Sequence, residues 1–146
     1  MILGVKVIEL ETHVDKRGFF REILRFPDNN ENFKAGQLSH SQVKEGIVKA
    51  WHGHVFQYQW NYVIQGQIKV ALVDNRKESD TYRDIFEFKA GDGLKPIAYF
   101  FPPGVLHGYR CIKGPMQNIY LTSGTYTLDD EIRKSNKEIE INYKWN

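Results

Sequence analysis

The sequence predicts an all-β protein whose strands form a β-sandwich or barrel. About ten short segments alternate apolar and polar residues, and turn residues recur roughly every 8 to 12 positions. The 9 Phe, 8 Tyr and 3 Trp favour strands and suit a β-rich interior with pocket walls. At 146 residues, we expect a single domain spanning residues 1–146.

Three strands are predicted in the N-terminal third of the chain. Residues 4–11 alternate, and residues 15–18 have the composition of a turn. Residues 19–26 are predicted to be a strand because they are rich in aromatic residues and directly follow that turn. A polar loop at residues 27–32 precedes residues 37–43, where we expect a strand with polar groups facing a ligand.

Residues 47–55, 60–65 and 67–74 are predicted to be strands, with Gly66 as the turn between the last two. A strand has a period of two, so one face of the third segment is apolar and comprises Ile68, Val70 and Leu72. Alternation at this spacing is typical of a strand with one face in a hydrophobic core.

The C-terminal third is predicted to contain two strands, at residues 108–112 and 118–122, separated by a turn at residues 113–115. Residues 129–137 contain charges at helical spacing and no glycine, which predicts a short helical or irregular tail. The whole pattern suits a jelly roll, in which one pocket is lined from several strands.

Composition excludes several classes of protein. The net charge of +2 and the absence of a long Lys/Arg run argue against nucleic-acid binding. Cys111 is the single cysteine, which excludes a disulfide framework and a cysteine-based zinc site and is compatible with a reducing compartment. No stretch approaches the ~20 apolar residues of a transmembrane helix, and the N-terminus lacks a signal-peptide pattern. We therefore expect a cytoplasmic protein with no membrane partner.

Three histidines form the most specific constellation in the chain. Gly46, His52, His54, Gln59 and Gly66 have the spacing of the first cupin motif, with Gln59 where that motif has Glu. Residues 102–107 read P-P-G-V-L-H and resemble the second cupin motif, P-x-G-x-x-H, which ends at His107. The resemblance implies a cupin-type jelly roll.

The histidines allow two interpretations. His52, His54, Gln59 and His107 could hold one divalent transition metal, since imidazole and oxygen donors suit such ions. Alternatively, His54 lies in the pocket wall as a polar side chain and no metal binds.

A second resemblance covers about residues 4–126. Residues 15–22, D-K-R-G-F-F-R-E, resemble the D-x-R-G-x-F-x-E segment of dTDP-4-dehydrorhamnose 3,5-epimerases, which are cupins. Residues 37–41, 48–52, 102–108 and 120–126 resemble further segments of that family in the same order. The resemblance implies an isomerase that acts on a nucleotide-activated 4-keto-6-deoxy sugar, as a homodimer that exchanges N-terminal strands and without a metal or organic cofactor.

The resemblance also implies roles for individual residues. His52 stands at the position of the catalytic base, Tyr120 at that of the general acid, and His107 at that of a second pocket histidine. Substrate contacts are implied at Arg17, Phe20, Glu22, Gln37 and Lys49. This chemistry is reasonable because a positioned histidine that titrates near neutral pH can remove a proton α to a ketone.

Three departures from the family pattern fall in or near the expected pocket. Gln59 stands where the family has a lysine that stabilises the enolate, and His54 stands where it has glutamine. The carboxylate that orients the base is replaced by Asn136, or its role falls to Asp129 or Asp130. These departures leave two alternatives to an epimerase: a metal-dependent cupin and a non-catalytic binder of sugar nucleotides.

Overall fold

The computed structural model describes residues 1–25 and 33–146. In these ranges the chain forms ten strands: β1 (Lys6–Glu9), β2 (His13–Asp15), β3 (Gly18–Phe20), β4 (Gln37–Val43), β5 (Val48–His54), β6 (Gln59–Asp74), β7 (Ile85–Gly91), β8 (Ile97–Phe101), β9 (Val105–Thr122) and β10 (Glu131–Arg133). A 3₁₀ turn, Leu128–Asp130, precedes β10. The all-β prediction is confirmed.

The two long strands β6 and β9 organise the fold. They pair antiparallel from Gln59 opposite Thr122 to Asp74 opposite Val105. Eight strands form one sheet with the order β1-β8-β6-β9-β5-β10, while β4 also pairs with β9 and β7 with β6. Strands β2 and β3 form a separate hairpin. Because β6 and β9 change neighbours along their length, the sheet is able to curl around an interior.

Gly66 is not a turn, contrary to the sequence prediction. Strand β6 continues through it, and the register with β9 shifts between Gln65 and Gln67, as at a β-bulge. Gly66 has φ 73°, and a Cβ there would lie 2.5 Å from the Lys113 carbonyl oxygen. Strand β9 likewise continues through the turn predicted at residues 113–115. Glycine and proline mark both bulges and turns, so local sequence does not distinguish the two.

The strand predicted at residues 19–26 is also shorter than expected. Strand β3 ends at Phe20, and residues 21–25 leave the hairpin. Ile23 and Leu24 then pack against a buried cluster that contains Phe33 and Trp60. Residue 26 and the loop predicted at residues 27–32 lie outside the described residues.

The tail does not form the predicted helix. After the 3₁₀ turn, Glu131–Arg133 pairs with β5, and Lys134 and Trp51 exchange backbone hydrogen bonds of 3.0 and 3.1 Å. Pairing with the edge of β5 satisfies backbone groups that a helix would satisfy internally, so tertiary context overrides the charge spacing. No helix in the described ranges is long and apolar enough to cross a membrane.

Both faces of β6 are buried near its C-terminal end. Ile68, Val70 and Leu72 lie in the main core, as their shared face predicts. The opposite face contributes Ala71 and Val73 to a second cluster, which the C-terminal residues Ile139, Tyr143 and Trp145 cover. The tail therefore acts as a second layer over the outer face of the sheet.

Candidate active site

One cavity of about 310 Å³ opens between the strands that carry the histidines. Strand β5 alternates so that the Trp51 side chain is buried behind it, whereas His52 and His54 line the cavity. Strand β9 places His107 opposite His52. The His107 ring centroid lies 6.0 Å from that of His52 and 6.1 Å from that of His54. The prediction that the three histidines share one pocket is confirmed.

Most of the other predicted site residues also line this cavity. Tyr120 lies on β9 opposite Asn61 of β6, and Lys49 lies on β5 opposite Tyr109. The Gln37 side chain donates to Ser39 Oγ at 3.0 Å and accepts from the Tyr126 amide at 2.9 Å. The structure thus brings together Gln37, Lys49, His52, His54, Gln59, His107 and Tyr120.

Arg17, Phe20 and Glu22 do not reach the cavity of their own chain. Arg17 forms an ion pair of 2.6 Å with Asp15 on the hairpin, and Phe20 is 64% exposed. Glu22 pairs with Arg25 at 3.0 Å. These predicted substrate contacts therefore lie on an exposed surface, outside the cavity that the histidines line.

His54 has the best-defined partners of the three histidines. Its Nδ1 lies 2.7 Å from Asp130 Oδ2, and its Nε2 lies 2.8 Å from Gln59 Oε1. The two departures from the family pattern, at positions 54 and 59, are thus in direct contact. The Gln59 amide nitrogen in turn donates to Asn61 Oδ1 at 2.7 Å.

Asp130 is a buried carboxylate, only 3% exposed, at the end of the 3₁₀ turn. Its Oδ1 accepts hydrogen bonds from the backbone amides of Phe56 at 2.7 Å and Gln57 at 3.0 Å. Burial alone would raise the pKa of Asp130, but these amides and the His54 imidazole outweigh it and hold the pKa below its ordinary value. Asp130 is therefore ionised at neutral pH.

None of the candidate orienting groups contacts the His52 ring. Asp130 binds His54, and Asp129 is exposed. The Asn136 side chain accepts from the Trp51 indole at 2.7 Å and donates to the Tyr143 carbonyl at 2.9 Å. Among the described residues that line the cavity, the carboxylate–imidazole pair therefore belongs to His54.

Burial and nearby positive charge keep the other two imidazoles neutral. Desolvation lowers the pKa of His52, and Arg133, Lys49 and His54 lower it further, against an opposing effect of Glu131. Desolvation lowers the pKa of His107 well below its ordinary value, and His54 and His52 add to this. The His107 ring stacks on Phe101 with centroids 4.5 Å apart, and its buried Nδ1 has no hydrogen-bond partner in the described structure.

The side chains are not arranged as metal ligands. Across residues 1–25 and 33–146, no group of three or more His, Cys, Asp or Glu side chains is close enough to hold a metal ion. His54 uses Nδ1 to bind Asp130 and Nε2 to bind the Gln59 side-chain oxygen, so none of these atoms is free to bind a metal. The geometry therefore does not fit the metal set of His52, His54, Gln59 and His107.

Sequence reasoning missed one polar wall of the cavity. Asn61, Tyr109 and Asn118 line it, and Asn61 is only 4% exposed. A signal was available, because Gln59 and Asn61 are polar residues two positions apart, and that spacing places them on one face of a strand.

Known proteins resemble this chain over three quarters or more of its length. Residues 1–146 match the family model described as dTDP-4-dehydrorhamnose 3,5-epimerase. The chain is 37% identical over 150 residues to the spore coat polysaccharide biosynthesis protein SpsL of Bacillus subtilis (strain 168), covering 100% of this chain and 97% of that protein. It is 31% identical over 114 residues to the dTDP-4-dehydrorhamnose 3,5-epimerase of Methanothermobacter thermautotrophicus, covering 75% of this chain and 61% of that protein.

Solved structures show the same fold. The 4-keto-6-deoxy sugar epimerase NovW from Streptomyces spheroides superposes with a TM-score of 0.89 at 25% identity, covering 99% of this chain and 75% of that chain. A dTDP sugar isomerase from Desulfovibrio desulfuricans superposes with a TM-score of 0.87 at 24% identity, covering 99% of this chain and 92% of that chain. The predicted cupin-type jelly roll is confirmed, and the chain belongs to the dTDP-4-dehydrorhamnose 3,5-epimerase family of isomerases.

Proposed function

We propose that this protein epimerises a nucleotide-activated 4-keto-6-deoxy sugar by removing and returning a proton α to the ketone. Family membership supports the reaction class, and NovW, which is 25% identical, is described as a 4-keto-6-deoxy sugar epimerase. The relation to SpsL points to polysaccharide biosynthesis, with a dTDP-rhamnose-type sugar as the substrate class. The reaction takes place in one domain, residues 1–146, in the cytoplasm.

The observation that carries the proposal is that a neutral histidine and a tyrosine face the same cavity. His52 is uncharged because of its lowered pKa, so it can accept a proton. The C–H electron pair moves into the developing C=C bond, and the carbonyl electrons move onto the oxygen to give an enolate. Tyr120 then returns a proton to the opposite face of the carbon, which inverts the centre. No metal or organic cofactor takes part in these steps.

The remaining cavity residues bind the substrate. Lys49 attracts the diphosphate, because an ammonium group is a suitable point charge for phosphate oxygens. Gln37, Gln59 and His107 contact the nucleotide or the sugar from the walls.

The hairpin residues take part through a homodimer. Strands β2 and β3 project with exposed apolar side chains, including Val14 at 77%, Phe19 at 65% and Phe20 at 64%. A second copy that pairs along this exposed edge would cover these side chains. Arg17, Phe20 and Glu22 are then available to the nucleotide bound by the partner.

Solvent deuterium exchange at the carbons next to the ketone tests the function. We expect the wild-type protein to incorporate deuterium into a dTDP-4-keto-6-deoxy sugar, and His52→Ala to abolish incorporation. His40→Ala is the matched control, because His40 lies on an exposed part of β4 and bonds to Gln117 at 2.9 Å, outside the cavity. Exchange at the wild-type rate in His52→Ala would sink the assignment of the base. Tight binding of dTDP with no exchange in the wild type would instead indicate a non-catalytic binder.

A further inference from the structure

Four polar side chains form one continuous hydrogen-bonded row in the cavity wall. Asp130 binds His54 Nδ1 at 2.7 Å, His54 Nε2 lies 2.8 Å from Gln59 Oε1, and Gln59 Nε2 donates to Asn61 Oδ1 at 2.7 Å. Asp130, Gln59 and Asn61 are 3%, 5% and 4% exposed, so water contributes little to satisfying them. The row must therefore balance its own donors and acceptors.

The balance depends on which ring nitrogens of His54 carry a hydrogen. An ionised carboxylate only accepts hydrogen bonds, so Nδ1 of His54 must carry a hydrogen to bind Asp130. The Gln59 oxygen is also an acceptor, so Nε2 must carry a hydrogen as well. A neutral imidazole has only one N–H, whereas an imidazolium has two. A neutral His54 ring would thus satisfy one of its two acceptors, whereas an imidazolium, with Asp130 as its counter-ion, would satisfy both.

A second observation is an unsatisfied donor at the end of the row. Asn61 Nδ2 is buried and has no hydrogen-bond partner in the described structure, although Asn61 lines the cavity. The Gln59 amide nitrogen has two N–H groups, and Asn61 Oδ1 accepts only one of them. Two amide donors beside the reaction cavity are thus available for an acceptor that the protein does not provide.

We propose that Gln59 and Asn61 are the donors that stabilise the enolate oxygen, and that His54, held as an imidazolium by Asp130, strengthens them. The inference rests on the proposed function, since it assigns the oxyanion site of the same reaction. A cation bound to the Gln59 oxygen polarises the amide and makes its N–H groups better donors. Preorganised donors at a developing oxyanion are commonly the largest single contribution to catalysis.

In this assignment His52 and His54 have different functions. The proton leaves the substrate carbon for His52. The C–H electron pair becomes the C=C bond, and the carbonyl π electrons move onto the oxygen, opposite Gln59 and Asn61. Proton and charge are thus received by different groups. His54 is a positioning residue here, because it acts through Gln59. The charged and titratable groups around it are Asp130, Glu131, Arg133, Lys49, His52 and His107.

Nitrogen-15 NMR of the histidine rings tests the charge without requiring any activity. We expect both ring nitrogens of His54 to be protonated at pH 7, and Asp130→Asn to convert His54 to a neutral ring. His54→Gln identifies the resonances. A single protonated nitrogen on His54 in the wild type would overturn the inference, because it would mean that the Gln59 and Asn61 amides are rotated to accommodate a neutral imidazole.

Exchange kinetics test the catalytic consequence. We expect His54→Gln and Asn61→Leu each to lower kcat for deuterium exchange by roughly 10²- to 10³-fold, with KM changed far less. His40→Gln is the matched control, because it removes another strand histidine that is bonded to a glutamine. Wild-type kcat in both cavity variants would refute the oxyanion assignment. If the wild-type protein itself shows no exchange, the proposed function fails, whereas the NMR result on His54 still stands or falls by itself.

Discussion

Replacing Asp130 by asparagine should destabilise the protein as well as change its site. Asp130 accepts from two backbone amides at 2.7 and 3.0 Å and from His54 at 2.7 Å, in a position only 3% exposed. Asparagine keeps one oxygen for the amides but presents a neutral group to His54. Hydrogen bonds to a charged group contribute about 1.5–3 kcal/mol each, and the substitution weakens those to the two amides and to His54, so we expect a loss of about 3 kcal/mol.

Thermal unfolding followed by circular dichroism measures this cost. At roughly 2–4 °C per kcal/mol for a domain of this size, a loss of about 3 kcal/mol lowers Tm by roughly 6–12 °C. Asp129→Asn is the matched control, since it changes the preceding, exposed carboxylate. Equal Tm values for the two variants would refute the claim that Asp130 anchors the turn.

The effect of Asp130 also depends on pH in a defined direction. The pKa of Asp130 is lowered in the folded protein from 3.8, so the unfolded chain takes up a proton at this site before the folded protein does. The contribution of ionised Asp130 to the free energy of unfolding is therefore complete above about pH 4, and it is lost as pH falls through the lowered pKa of the folded protein. The stability difference between wild type and Asp130→Asn should shrink over that acid range, and an increase there would contradict the assignment.

Two further predictions concern the fold. Gly66→Ala should lower the free energy of unfolding by about 3 kcal/mol, because it combines a positive φ with a steric clash. Gly46→Ala, at φ 81° in open space, should lower it by only about 1–2 kcal/mol. Urea unfolding compares the two variants, and equal losses would contradict the close approach at Gly66. Asp74→Asn removes a fully buried charge that organises residues 76–81 and should also cost about 3 kcal/mol in the same assay. Asp80→Asn is the control, because Asp80 lies in the same loop but is exposed. An equally small loss of unfolding free energy in both variants would contradict the claim that Asp74 organises the loop.

Much of the candidate site could be predicted from local pattern. The two-residue spacing of His52 and His54 places both on one face of β5, and the cavity contains both of them. The glycine and proline motifs around them indicated the fold that brings His107 alongside. The main apolar strand followed from alternation, which depends only on which residues face a core.

The sequence by itself therefore determined an all-β jelly roll, its family and the histidines of its pocket. Only the tertiary structure decided which carboxylate binds which histidine, because the Asp130 carboxylate contacts the His54 ring although the two residues are 76 positions apart in sequence. It also decided that β6 and β9 run through their glycines, since the pairing between the strands selects a bulge over a turn. Local pattern depends on burial and backbone preference, whereas partners distant in sequence are set by the way the whole sheet closes.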